Sequence, residues 1–164
     1  MARALIVGCG CFGRELGREL IARGWQVRGT SREESGLEPI EAAGIEAALA
    51  DPDRPGTILD LVGDVAVLIW LLGSAEAEPE VIGAIHGPRL ESLIEKLVDT
   101  PVRGIAYEAV GSVQESRLAG GRAICLKAAE TWRIPLTTIE DERDEPEWVR
   151  VTADSLDRLL SARS

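Results

Sequence analysis

Gly8, Gly10 and Gly13 are spaced as Gly-x-Gly-x-x-Gly within Gly8-Cys9-Gly10-Cys11-Phe12-Gly13-Arg14. An apolar run, Ala4-Leu5-Ile6-Val7, precedes them, and a segment with helical apolar spacing follows. Between a strand and a helix, that spacing suits the binding of a diphosphate. Gly8 permits the tight turn, Gly10 lets a pyrophosphate approach bare backbone, and Gly13 lets the helix pack closely on the strand. The helix N-terminus then offers unpaired N–H groups and a partial positive charge. Cys11, Phe12 and Arg14 are expected at the same bound group. The competing reading is a glycine-rich turn that binds nothing; the agreement of strand, spacing and helix favours a dinucleotide.

The end of the second strand bears on which dinucleotide. An NAD site places an Asp or Glu roughly 20 residues past the glycines, where it accepts the ribose hydroxyls. Here the chain reads Arg28-Gly29-Thr30-Ser31-Arg32, with no carboxylate at Thr30 or Ser31. Two hydroxyls and a guanidinium suit a phosphate with several acceptor oxygens. NADP(H) is therefore expected over NAD(H), with Arg14 a second positive charge. Each residue also has a plainer reading. Ser31 and Glu34 fit an S-x-x-E capping box, and Arg14 and Arg32 fit a solvated surface.

Strand-like and helix-like segments alternate, which predicts a parallel sheet covered on both faces. Strands are expected near residues 3–8, 26–30, 46–49, 65–72, 104–110 and 136–139. Helices are expected from the glycine loop to Gly24, with Phe12, Leu16, Leu20 and Ile21 on one face, and near 38–43, 57–62, 88–98, 113–132 and 153–161. Pro88 suits a first helical turn, and Gly44 a helix C-terminus. The fold expected is a doubly wound Rossmann-type α/β/α sandwich, with residues 1–164 as a single domain and no substrate domain. Ligands of such a sheet bind at the carboxyl ends of its strands.

A net charge of −10 argues against a nucleic-acid partner and an anionic membrane surface. The longest apolar run, Val65 to Leu72, suits a buried strand and is too short to span a bilayer. Three cysteines and no secretory pattern after Met1 lead to an expectation of a cytoplasmic protein. Cys9 and Cys11 are too close for usual zinc spacing, and His86 is the only histidine, so no metal is expected.

The run from Gly8 to Gly13, with Leu16, Leu20 and Gly24-Trp25-Gln26-Val27-Arg28-Gly29-Thr30-Ser31-Arg32, resembles the atypical, extended-type short-chain dehydrogenase/reductases, relatives of the NAD-dependent epimerases and dehydratases. The resemblance implies that Asp51 lies near the adenine and that Leu72, Gly73 and Ser74 pass the nicotinamide ribose. It likens Arg103-Gly104-Ile105-Ala106-Tyr107 to the strand that ends in the family's catalytic Ser. It likens Lys127-Ala128-Ala129-Glu130 to the active-site helix, where Lys127 would touch the ribose. The family's catalytic pair is Tyr-x-x-x-Lys, and four residues before Lys127 stands Ala123. The phenol that moves the hydroxyl proton is thus missing from its usual place.

Ser112 lies near the family's Ser position, but Ser112-Val113-Gln114-Glu115 is also a capping box. Tyr107 is read as packing in the core or at its edge, and Lys127 alternatively as a surface charge. His86 is either a satisfied or exposed loop histidine or a group at the cofactor edge. Asp141, Glu142, Asp144 and Glu145 read as a solvated acidic loop rather than a cation site. Three functions follow: a cofactor-binding sensor, regulator or partner subunit; a small oxidoreductase or epimerase-like enzyme using Ser112, Tyr107, Lys127 or His86; or a protein-contact module. A homodimer is left open.

Overall fold

Alternate residues of the first strand, β1 (Arg3–Val7), face opposite ways. In the computed structural model, which describes residues 2–161, Ala4 and Ile6 enter one buried cluster and Leu5 and Val7 the other. Both faces of the strand are apolar, as in a parallel sheet covered on two sides. The other strands are β2 (Gln26–Ser31), β3 (Glu46–Leu49), β4 (Val67–Trp70), β5 (Gly104–Glu108) and β6 (Leu136–Ile139). All pairings are parallel, in the order β3-β2-β1-β4-β5-β6. Chain direction across the sheet reverses between β1 and β4, which opens a crevice at their carboxyl ends.

The helices are α1 (Cys11–Ala22), α2 (Leu37–Ala42), α3 (Pro55–Leu59), α4 (Pro79–Ile85), α5 (Pro88–Leu97), α6 (Glu115–Trp132) and α7 (Trp148–Ser161). Residues of α1, α2 and α7 fill one apolar cluster; residues of α3, α5 and α6 fill the other. Leu90, Leu93, Ile94 and Leu97 of α5 are buried at helical spacing. In α1 the buried positions are Gly13, Leu16, Gly17 and Leu20. Ile21, expected on that face, is 37% exposed. At 100° per residue Ile21 falls about a quarter turn from the centre of the stripe formed by Gly13, Leu16, Gly17 and Leu20, which leaves it at the edge toward solvent.

Several boundaries differ from expectation. Strand β4 ends at Trp70; the Leu71 N–H still bonds the Val7 carbonyl at 2.9 Å, and the buried Leu71 and Leu72 then run along the crevice. The helix expected at 57–62 covers Pro55–Leu59. Helix α4 was not anticipated, and α7 begins at Trp148 instead of residue 153. The capping boxes do not form. Gln114 is the N-cap of α6, without a side-chain cap bond, and Ser112 is exposed. Ser31 Oγ instead bonds both the N–H and the carbonyl of Glu33.

Candidate functional site

The turn after β1 opens the site. Gly8 has φ +91°, and a Cβ there would stand 2.5 Å from the Leu71 carbonyl oxygen, so only glycine fits the bend. Its carbonyl accepts the Gly10 N–H at 2.9 Å. A Cβ on Gly13 would come within 3.2 Å of the same Gly8 carbonyl, which shows how tightly the helix abuts the turn. Gly10 is the N-cap of α1 and supplies no side-chain cap. The first N–H groups of the helix have no intrahelical acceptor, so they are left for something outside it. A Cβ on Gly10 would meet no protein atom within 4 Å.

That turn forms one wall of a cleft of about 360 Å³. Gly8, Cys9, Gly10 and Arg14 line this wall. Thr30, Ser31, Arg32, Gly36 and Pro52 line the side beyond β2 and β3. Leu71, Leu72, Ser74, Ala75, Glu76 and Ala77 follow β4, with Val81, Ile85 and Arg143 closing the rest. Thr30 is buried, and its carbonyl accepts the Cys9 N–H at 3.2 Å, tying the end of β2 to the glycine turn. Arg32 Nη2 donates to the Glu76 carbonyl at 3.2 Å, so the loops after β2 and β4 touch across the crevice.

Eight of the expected cofactor residues line this cleft: Gly8, Gly10, Arg14, Thr30, Ser31, Arg32, Leu72 and Ser74. The other five stand behind or beside it. Cys11 is exposed on the first turn of α1. Phe12 packs edge-on against Trp148, with ring centroids 6.0 Å apart. Gly13 is buried. Asp51 Oδ1 accepts the Asp53 N–H at 2.9 Å, and the next residue, Pro52, is the one that lines the wall. The Gly73 N–H donates to Glu108 Oε1 at 2.8 Å.

Of the four acid/base candidates only Tyr107 and His86 come together. Tyr107 and His86 are buried together, with 2.6 Å between the phenol oxygen and His86 Nδ1. His86 Nε2 lies 2.9 Å from the Leu72 carbonyl, which can only accept, so the neutral ring carries its proton on Nε2. Nδ1 then accepts from the phenol. Gly121 makes room for this arrangement, since a Cβ there would strike the Tyr107 hydroxyl. Ser112 sits beside the rim, where its N–H donates to Ser74 Oγ at 3.1 Å. Lys127 is exposed in a separate groove between α5 and α6, with Glu91, Ile94 and Trp132. Ala123 is exposed on α6. Cys9 faces β2, and burial pushes its thiol up to about 12. Among the described residues no three His, Cys, Asp or Glu side chains are grouped to hold a metal ion. Nor is any helix there long and apolar enough to cross a membrane.

Burial holds the His86 imidazole below its ordinary value, against weaker raising effects of the Leu72 carbonyl and the Glu108 charge. A histidine depressed in the folded state adds stability above about pH 6.5, lost as pH falls through its lower folded value. Urea unfolding should therefore weaken more steeply from pH 7 to pH 5 in the wild type than in His86→Gln. The difference is bounded by ~1.4 kcal/mol per pH unit for one proton. Parallel pH profiles for the two proteins would sink this reading.

Arg143 is the residue that sequence reasoning missed. It comes from the loop after β6, in a run that is otherwise acidic apart from Pro146. Its Nε and Nη2 donate to Oε2 and Oε1 of Glu108, both at 2.8 Å, and Nη2 also reaches the Leu71 carbonyl at 3.2 Å. Glu108 is fully buried at the end of β5. The guanidinium carbon stands 5.5 Å from the centre of the Phe12 ring. The local signal was weak, because the partner lies 35 residues away in a strand.

A parallel sheet of this order, with a glycine turn entering a helix at its crevice, defines a Rossmann-type α/β protein with the fold of the short-chain dehydrogenases and epimerases. No protein-family model matches the chain. Among curated proteins it is 27% identical over 126 residues to Protein YeeZ of Escherichia coli K12, covering 71% of this chain and 46% of that protein. Among solved structures, UDP-glucose 4-epimerase of Thermotoga maritima superposes with a TM-score of 0.68 at 13% identity, over 83% of this chain and 54% of the epimerase. A short-chain dehydrogenase from Rhodopseudomonas palustris gives a TM-score of 0.68 at 17% identity, over 99% and 95% of the two chains. The chain thus spans about half the length of the curated relative, at 46%.

Proposed function

We propose that residues 1–164 act as a single cofactor-binding domain that takes NADP(H) in this cleft. The observation that carries the reading is the pairing of two features. An uncapped α1 N-terminus beside open space at Gly10 suits a pyrophosphate. The opposite wall, with Thr30, Ser31 and Arg32, offers hydroxyls and a cation where an NAD site needs a carboxylate. A Thermus thermophilus UDP-glucose 4-epimerase of the same fold was solved with NAD, which supports a dinucleotide in general terms.

With Ala123 in the place of the family's phenol, and Tyr107 enclosed with His86, the reading extends to a cofactor-binding sensor, regulator or partner subunit working in a reducing, cytoplasmic setting. A second reading, a small oxidoreductase or epimerase-like enzyme, is favoured by Ser112 lying beside Ser74 at the rim. Hydride transfer itself needs only a positioned nicotinamide and an acceptor.

Calorimetric titration of the purified chain with NADPH and with NADH tests the proposal. Micromolar NADPH binding with weak NADH binding is expected. Absence of heat with both would leave the glycine turn as scaffold and make the protein-contact reading the leading one. Arg32→Ala should weaken NADPH by about 1.5–3 kcal/mol, the scale of a lost charge-assisted contact, and NADH far less. Equal losses would remove Arg32 from the 2′-phosphate.

A further inference from the structure

We infer that Arg143 is a second diphosphate-binding element, a guanidinium brought beside the glycine turn by the loop after β6. The inference rests on the dinucleotide reading of the cleft and adds a residue that the glycine spacing does not contain. Three contacts fix the side chain: the two-pronged bond to Glu108, the Leu71 carbonyl, and the face of Phe12. The Leu71 carbonyl locates it, because the same oxygen is the atom that a Cβ on Gly8 would strike at 2.5 Å. Arg143 therefore stands next to the turn that receives the pyrophosphate.

The fork has five N–H donors. Nε and Nη2 are engaged by Glu108 and Leu71, and Nη1 has no protein acceptor among the described residues, on a side chain that lines the cleft. Two N–H groups on one planar nitrogen, held in place, suit a phosphate oxygen. Glu108 is a positioning residue in this scheme. Buried and bonded to the Gly73 N–H as well, it cannot follow the ligand and keeps the guanidinium at the turn. The helix N-terminus and Nη1 would then hold the pyrophosphate together.

The test compares a ligand that carries a pyrophosphate with one that does not. Arg143→Lys keeps a charge opposite Glu108 but loses the spare donors, and the double variant Glu108→Gln/Arg143→Gln removes both charges of the pair together. NADPH and adenosine 2′-monophosphate are titrated into each full-length chain, with thermal unfolding measured beside them. In both variants NADPH affinity should fall by about tenfold or more, the effect of losing one charge-assisted contact. Affinity for adenosine 2′-monophosphate should stay within about twofold, since its single phosphate belongs at Arg32. Unchanged NADPH binding in Arg143→Lys overturns the inference and leaves the dinucleotide reading intact. Parallel loss of both ligands overturns it too, by making Arg143 a support of the whole cleft. A wild-type chain that binds neither ligand overturns the dinucleotide reading and this inference with it.

Discussion

A Gly10→Val chain is expected to fold and to lose NADPH binding by at least about a hundredfold, ~2.7 kcal/mol. The two halves of that expectation have separate grounds. No protein atom lies within 4 Å of a Cβ at Gly10, and its φ of −82° is open to any residue, so the fold has no steric objection. A β-branched N-cap is poor, which costs about 1 kcal/mol of stability. The space the side chain enters is the space a pyrophosphate would use. Gly8→Val is the contrasting variant: its φ of +91° and the Leu71 backbone leave no room, and a loss of about 3 kcal/mol or more is expected. Thermal unfolding and NADPH titration of the pair separate the roles. Wild-type affinity in Gly10→Val would remove the loop from phosphate binding, and a stable Gly8→Val would contradict the turn geometry.

Glu108→Ala should have a large effect on stability. The carboxylate is fully buried and accepts from Gly73 and Arg143. Its removal leaves a backbone N–H and a partly buried guanidinium, 21% exposed, without their acceptor. Breaking one side of a fully buried ion pair costs about 3–5 kcal/mol, and the solvated edge of Arg143 brings the expected loss to about 2–4 kcal/mol. That is a large share of the total for a domain of this size, commonly ~5–15 kcal/mol. The double change Glu108→Gln/Arg143→Gln, which leaves two neutral amides, should recover much of the loss. Urea unfolding measures both. A loss below about 1 kcal/mol in Glu108→Ala would mean that water substitutes readily for the carboxylate.

The architecture was legible because strands buried on both faces are written as apolar runs, and because Gly and Pro punctuate their ends. β3 and β6 lie where the residues place them, and α5 starts at Pro88. The errors have local causes. Helix α4 has one buried residue, Ile85, so it carries no apolar stripe to read. The start of α7 was hidden by the acidic residues before Trp148, although Trp148 itself is buried against Phe12. At the site, the glycine turn and the end of β2 were legible because each is a short contiguous stretch. Glu108 and Arg143 were not, because their meaning depends on each other and on a fold that brings β5 and the loop after β6 to one point. Charged residues are rarely buried without a partner, and single-residue patterns do not reveal partners far along the chain.

The packing of α7 on α1 bears on how the protein is made. Arg23 at the end of α1 bonds Asp154 and Asp157, and the Trp25 indole N–H bonds Asp157 as well. Trp148, Leu156 and Leu159 share a buried cluster with Leu16, Leu20 and Trp25. Helix α1 is thus covered by a helix that leaves the ribosome more than a hundred residues later. During synthesis, the β1-α1-β2 unit carries an uncovered apolar face for more than a hundred residues of elongation, roughly 5–20 s at ordinary translation rates. Nascent chains halted before Trp148 should accordingly be bound by chaperones and cut by proteases, and chains in which Trp148–Ser161 has also emerged should resist both.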